Sequence, residues 1–483
     1  MNMKIMNDKN IDRRTFLKTM GVGTVATAAV AAGCKSPNQT QTEGAALGPV
    51  PTDKMTYREN LHRDKVSLLG YGCMRLPTIE GESGREQDQE LDQDKVNELL
   101  DYAIAHGVNL FDTAPPYCKG RSEHAVGIAL SRHNRSEYYV STKLSNFNPK
   151  FWSRQASIDL YHNSMKELHT DYLDYYMLHS CGGTATDLQG NKLDSMQTLK
   201  ARFFDNGMLD YLMAEREAGR IRNLGFSYHG DVNVFNYLLS LNDQVHWDHV
   251  LIQHNYSDWH HAAEYNTDSE YLYGELAKRN IPVFVMEPLL GGQLATLTEH
   301  AVAELKRREP QSSVASWAFR FAGSQPRILT VLSGMTYMEH LQDNIRTYSP
   351  LKPLSDDELS LLEEIARERA SFSIVPCTGC KYCMPCPYGI DIPSVFQHYN
   401  KCLNEGNLLN EDDLLEPNAD KKGFRRNRRA FLVGYDRSVP RLRQADHCIG
   451  CNQCIPLCPQ SINIPQEMRN IDQYCEKLRT TLV

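Results

Sequence analysis

From Val66 onward the chain alternates short β-branched and aromatic runs with longer amphipathic stretches, and it does so eight times. The runs are VSLLGYG from Val66, VNLFDTA from Val108, YYVSTKL from Tyr138, YLDYYMLH from Tyr172, IRNLGFS from Ile221, VLIQHNY from Val250, IPVFVMEP from Ile281 and ILTVLSG from Ile328. The intervening stretches have a helical period. In DQDKVNELLDYAIAHG the apolar Val96, Leu99, Leu100, Ala103 and Ile104 share one face, and Gly107 ends the pattern. Strands regularly separated by helices build a parallel sheet of the α/β class. Eight strands with seven connections predict a closed (β/α)8 TIM barrel. An open doubly wound sheet would want a G-x-G-x-x-G loop after an early strand, and none is present there.

In a barrel of this kind chemistry sits at the carboxyl ends of the strands. The polar residues at those places are Asp112, Tyr117 in the loop behind it, Lys143 and His179. A phenol titrates near pH 10, so it shuttles protons poorly at neutrality unless a cation stabilises the phenolate. Lys143 can be that cation, Asp112 its anchor, and His179 a hydrogen-bond partner that orients a carbonyl. Each residue alone is commonplace as a cap, a snorkelling lysine or a core histidine. Four at successive strand ends form a constellation.

FDTAPPYCKGRSEHAVG, STK and DYLDYYMLH resemble three signature regions of the aldo-keto reductases, and the resemblance runs from about Tyr57 to Leu354. It implies a nicotinamide-dependent enzyme interconverting carbonyl and alcohol, with Tyr117 as general acid, Lys143 and Asp112 tuning it, and His179 placing the carbonyl. It also implies that Ser227, Gln253, Met286, Leu289, Gly334, Thr336 and Asn344 hold the NAD(P). Tyr228 stands where many members carry Asn, and Met286 and Glu287 replace an aromatic or Trp-Ser pair. Between Gly334 and Asn344 there is no Lys or Arg, only His340, so these residues do not choose NADP over NAD.

The tail carries two cysteine runs. Cys377, Cys380, Cys383 and Cys386 are spaced C-x-x-C-x-x-C-x-x-C-P, and Cys448, Cys451, Cys454 and Cys458 are spaced C-x-x-C-x-x-C-x-x-x-C-P. The second is the bacterial ferredoxin spacing, in which three close thiolates bind one 4Fe-4S cluster and the fourth serves the other. That resemblance implies two 4Fe-4S clusters, one on Cys377, Cys380, Cys383 and Cys458, the other on Cys448, Cys451, Cys454 and Cys386. Paired C-x-x-C units also suit zinc. Cys73, Cys118, Cys181, Cys402 and Cys475 lack ligand spacing and read as buried thiols, Cys118 beside Tyr117 as one lining the site.

The front end, NIDRRTFLKTMGVGTVATAAVAAGC, is too short and too weakly apolar to span a membrane. Around Arg13 and Arg14 it resembles a twin-arginine export signal, and AAGC ending at Cys34 resembles a lipoprotein cleavage box, although Ala31 replaces the usual Leu. The resemblance implies an exported lipoprotein held by lipid on Cys34 and facing the periplasm or cell exterior. Export of an already folded chain would carry clusters across intact and favour loading the nicotinamide beforehand. The expected organisation is a signal over residues 1–33, a linker over 34–56, the barrel over 57–370, and a small, mainly helical dicluster ferredoxin-like domain over 371–483.

A formal net charge of -8 gives no basis for nucleic-acid binding. The one basic cluster, KKGFRRNRR from Lys421, reads as a solvated connector or as a docking patch for an acidic electron-transfer partner. The loop from Cys181 to about Asp205 is expected to cover the barrel mouth. Tyrosines and histidines near strand ends suit a small carbonyl or alcohol, a sugar among them. Clusters that pass electrons to a membrane partner and clusters that staple the tail are both compatible with the residues. So is a non-catalytic nicotinamide-binding redox sensor. A radical enzyme would need a C-x-x-x-C-x-x-C triplet near the first strands, which is absent.

Overall fold

A computed structural model describes residues 48–79, 90–263, 266–415, 417 and 420–481. The export motif and Cys34 lie outside the described residues. Eight parallel strands close into a barrel in chain order: β1 Leu69–Gly72, β2 Leu110–Asp112, β3 Tyr139–Leu144, β4 Leu173–Cys181, β5 Ile221–Tyr228, β6 His249–Gln253, β7 Val283–Met286 and β8 Ile328–Ser333. Each overlaps one of the eight runs named above, with Leu173–Cys181, Ile221–Tyr228 and His249–Gln253 extending one or two residues beyond theirs. An antiparallel pair, Tyr57–Glu59 with Lys65–Ser67, precedes β1.

Two apolar layers hold the barrel together. Val66, Leu110, Tyr175, Met177, Leu251, Phe284, Leu329 and Leu332 pack as an inner cluster. Phe111, Val140, Tyr176 and Leu178 join the larger core shared with the surrounding helices. The two-residue period of a strand decides this division, because successive side chains point to opposite faces. On β4 the inward positions are Tyr175 and Met177, so His179 continues that row. On β2 Leu110 is inward, so Asp112 is too, and Asp112 lies in register with Ser141 of β3. Lys143, in register with Met177, stands one inward step higher. The pleat therefore aims Asp112, Lys143 and His179 at one mouth.

The tail has its own core. Helices Ile392–Asn404, Lys421–Ser438 and Ile464–Thr480 pack around Val375, Phe396, Phe431, Tyr435 and Met468, with most of the cluster cysteines on its border. The basic run from Lys421 is not a connector, because Phe424, Phe431 and Tyr435 recur at helical spacing and bury one face of its helix. Among the described residues no helix is long and apolar enough to cross a membrane.

Candidate active site

Lys143 is fully buried and donates to Asp112 Oδ2 at 2.6 Å and to the Thr113 carbonyl at 2.7 Å. Ser141 Oγ donates to the other Asp112 oxygen at 2.8 Å. A buried charge of this kind persists only when paired and hydrogen-bonded, and here both conditions hold. Tyr117 follows the stiff Pro115–Pro116 pair and starts a tight turn in which Cys118 and Lys119 take left-handed backbone angles. The Lys143 ammonium lies 4.9 Å from the Tyr117 ring centre, and the His179 ring meets Tyr117 edge-on at 6.2 Å. The four expected residues thus converge.

Their protonation states differ from the simplest expectation. Burial, then the charges of Asp112 and Glu287, pushes the Tyr117 phenol well above its ordinary value. Because Lys143 is spent on Asp112, the phenol stays protonated, which is the form a general acid requires. Burial, together with the charges of Lys143 and Arg202, pushes His179 well below the usual histidine range, so its ring is neutral. Ser145 Oγ lies 2.5 Å from His179 Nδ1. With the serine hydroxyl donating there, the ring proton sits on Nε2.

Several supporting residues carry no motif. Arg202 is buried and donates to the carbonyls of His179 at 2.7 Å and Ser180 at 3.1 Å. Ser180 has a φ of 53°, a strained setting for a residue with a Cβ, and its N–H donates to Ser227 Oγ at 2.7 Å. Arg202 belongs to the segment expected to cover the mouth, and these contacts fasten that segment to the end of β4. Cys118 directs its thiol to the carbonyls of Cys73 and Met74, which ties its turn to β1.

The segment that reaches Tyr117 from above is the tail's first cysteine loop. Arg75, on the turn after β1, donates to the Thr378 carbonyl at 2.5 Å, and Gln293 donates to the Cys377 carbonyl at 2.8 Å. Gly291, with a φ of 67°, abuts Thr378 so closely that any side chain would strike its backbone. The second loop also touches the mouth, where buried Gln460 donates to Gln253 Oε1 at 2.9 Å and accepts from Asn266 at 3.2 Å. Tyr382, between Cys380 and Cys383, has Tyr117, Asp112 and Glu287 as charged or titratable neighbours.

The expected cofactor residues are spread around this mouth. Ser227 and Gln253 lie at the carboxyl ends of the neighbouring strands β5 and β6, where Ser227 Oγ accepts from the Ser180 N–H and Gln253 donates to Asp258 Oδ2 at 2.6 Å. A small cleft adjoins Gln253 and is lined by Tyr228, Asp258, Asn266 and Thr267. Met286 and Leu289 pack on apolar clusters. Gly334 lies against the Arg75 side chain, Thr336 donates to the Arg75 carbonyl at 2.8 Å, and Asn344 donates to Ser333 Oγ at 3.0 Å.

The cysteines also sort by neighbourhood. Cys377 has Cys458 beside it, and Cys380 has Cys458 and Cys377; burial pushes their thiols up to about 11 and about 12, and these neighbours add to the rise. Cys454 senses Cys448, Cys451 and Cys386. Cys383 senses Cys380, Cys377 and Cys458, and also Cys454, and all these thiols are free of disulfides. Crowded buried thiols ionise poorly by themselves and fit a group that takes the place of their protons. Among the described residues no three side chains close in on a single-ion site.

A family model described as the aldo/keto reductase family matches residues 68–367. The chain belongs to that family. As an aldo-keto reductase it is a nicotinamide-dependent oxidoreductase, and a non-catalytic sensor is not favoured. A second model, described as a 4Fe-4S dicluster domain, matches residues 376–463 and favours iron over zinc for these runs. This aldo-keto reductase is 24% identical over 322 residues to the uncharacterized oxidoreductase YqkF of Bacillus subtilis, covering 63% of this chain and 94% of that protein. It is 24% identical over 319 residues to L-galactose dehydrogenase of Arabidopsis thaliana, covering 62% and 89% of the two chains. An aldo-keto reductase from Klebsiella pneumoniae solved in complex with NADPH superposes with a TM-score of 0.49 at 21% identity, covering 65% of this chain and 95% of that one.

Proposed function

We propose that the chain interconverts a carbonyl and an alcohol by hydride transfer with NAD(P), and that two 4Fe-4S clusters in its tail exchange electrons with that chemistry. The observation that carries this reading is that the first cysteine loop rests on the same barrel mouth into which Asp112, Tyr117, Lys143 and His179 converge. Ser227 and Gln253 would hold the carboxamide, with Met286, Leu289, Gly334, Thr336 and Asn344 toward the rest of the dinucleotide.

Within the chain, Tyr117 passes its proton to the carbonyl oxygen as the alcohol forms. His179 donates Nε2–H to the same oxygen and fixes its direction. Lys143, pinned by Asp112, leaves a positive charge beside the phenolate that remains. A bound nicotinamide would supply two electrons as hydride, and clusters held by the two cysteine runs would each take one of them, with release of one proton. A sugar is the favoured substrate class, in keeping with the polar mouth and the L-galactose dehydrogenase among the relatives.

The test is to add NADPH to anaerobically purified protein that holds about eight irons, the content of two four-iron clusters. Cluster EPR signals should rise without dithionite. Signals that dithionite produces and neither NADPH nor NADH does would reject the electron coupling and leave the clusters as staples.

We also propose export by the twin-arginine route and lipid attachment at Cys34, on the residues Arg13, Arg14 and AAGC. Labelled fatty acid should be incorporated by the chain and not by its Cys34→Ala variant; equal labelling of both would refute the anchor.

A further inference from the structure

The two cysteine runs begin alike, and the point where they part is informative. CTGCKYC and CIGCNQC share their spacing, and they share a backbone path as well. Gly379 and Gly450 have φ of 65° and 71°, and Lys381 and Asn452 have φ of 64° and 61°. The next residue is Tyr382 in the first loop and Gln453 in the second. Gln453 is exposed to solvent, whereas Tyr382 is partly buried at the barrel mouth. A cluster loop of this shape therefore does not need an aromatic side chain at that position. What the first loop has and the second lacks is Tyr117 in front of it.

We propose that Tyr382 is a positioning residue of the barrel's active site, setting the surroundings of Tyr117 and walling the substrate pocket from the tail side. The proposal rests on the reading above that Tyr117 delivers the proton. The cysteines on either side of Tyr382 and the anchors from Arg75 and Gln293 fix where its side chain begins. The close approach of Gly291 to Thr378 seats that loop directly on the barrel backbone. A substrate whose oxygen lies between Tyr117 and His179 then meets Tyr382 as well, so the tail shares in choosing the substrate.

The experiment uses the full-length, cluster-loaded protein with [13Cζ]tyrosine, its Tyr117 resonance identified by loss in Tyr117→Phe. Tyr382→Phe and Tyr382→Gln are compared with the parent, the second installing the side chain of the matching position in the other loop. The Tyr117 resonance should move in both variants while iron content and EPR line shape stay as in the parent. With 4-nitrobenzaldehyde and glyceraldehyde as probes, Tyr382→Phe should lower kcat roughly tenfold or more. Tyr382→Gln should also raise KM and change the preference between the two. An unmoved Tyr117 resonance in both variants would overturn the proposal. Faster turnover in Tyr382→Gln would overturn it too, since Tyr382 would then be an obstruction. Failure of the catalytic reading is separately visible, because Tyr117→Phe would retain turnover whatever the Tyr382 variants do.

Discussion

Replacing Tyr117 with Phe should lower carbonyl reduction by about a thousandfold or more while leaving nicotinamide binding and iron content unchanged. The phenol is the tetrad's proton donor, because the Lys143 ammonium is committed to Asp112 and the Thr113 carbonyl. His179 is held neutral and Asp112 is committed to Lys143. Phenylalanine keeps the ring that packs against Lys143 and His179 and removes only the proton donor, so the loss reports on chemistry rather than folding. The measurement is single-turnover oxidation of NADPH with an aldehyde in excess, together with nicotinamide fluorescence to follow binding. Retention of the parent rate would remove Tyr117 from the mechanism and, with it, the assignment of the other three.

Replacing Cys380 with Ser should cost one cluster and spare the other, taking iron from about eight to about four per chain. The crossed sets give the prediction a second part. Cys386 lies in the first run but neighbours Cys454, so Cys386→Ser should lose the same EPR species as Cys454→Ser and keep the one lost in Cys380→Ser. If Cys386→Ser and Cys380→Ser lose the same species, each run keeps its own four irons and the crossed pairing is wrong. Reduction by NADPH should also fail in Cys380→Ser, because the cluster nearest the mouth is the one removed.

The barrel was legible because two periods are written plainly in the chain, the helical one in stretches such as Asp92–Gly107 and the two-residue one in the strands. The same alternation that buries Tyr175 and Met177 carries His179 to the mouth, so the tetrad could be read from strand ends. The 4Fe-4S dicluster domain could be read from the spacing of the cysteines. Contacts that join distant parts of the chain could not. Arg202 looks like an ordinary loop arginine until it is found capping the carbonyls of a strained turn at β4. Arg75 and Gln293 grip backbone carbonyls, which every residue possesses, so nothing in the partner's sequence marks the contact. The expectation that residues 181–205 would cover the mouth weighed loop length alone. The tail had the stronger claim, and two local signs pointed to it: a tyrosine in one cysteine loop where its twin carries glutamine, and a Gly-Gly pair after β7.

Gly291 and Thr378 have a consequence for how such a chain matures. Because the cysteine loop leans on the barrel backbone, the catalytic mouth is assembled from two stretches of sequence, one of which carries the cluster cysteines. If iron sets that loop's shape, metal insertion and completion of the enzyme would be a single event, and a copy without its iron would be idle rather than half-active. For a protein that would leave the compartment in which iron is supplied, that amounts to inspection before dispatch.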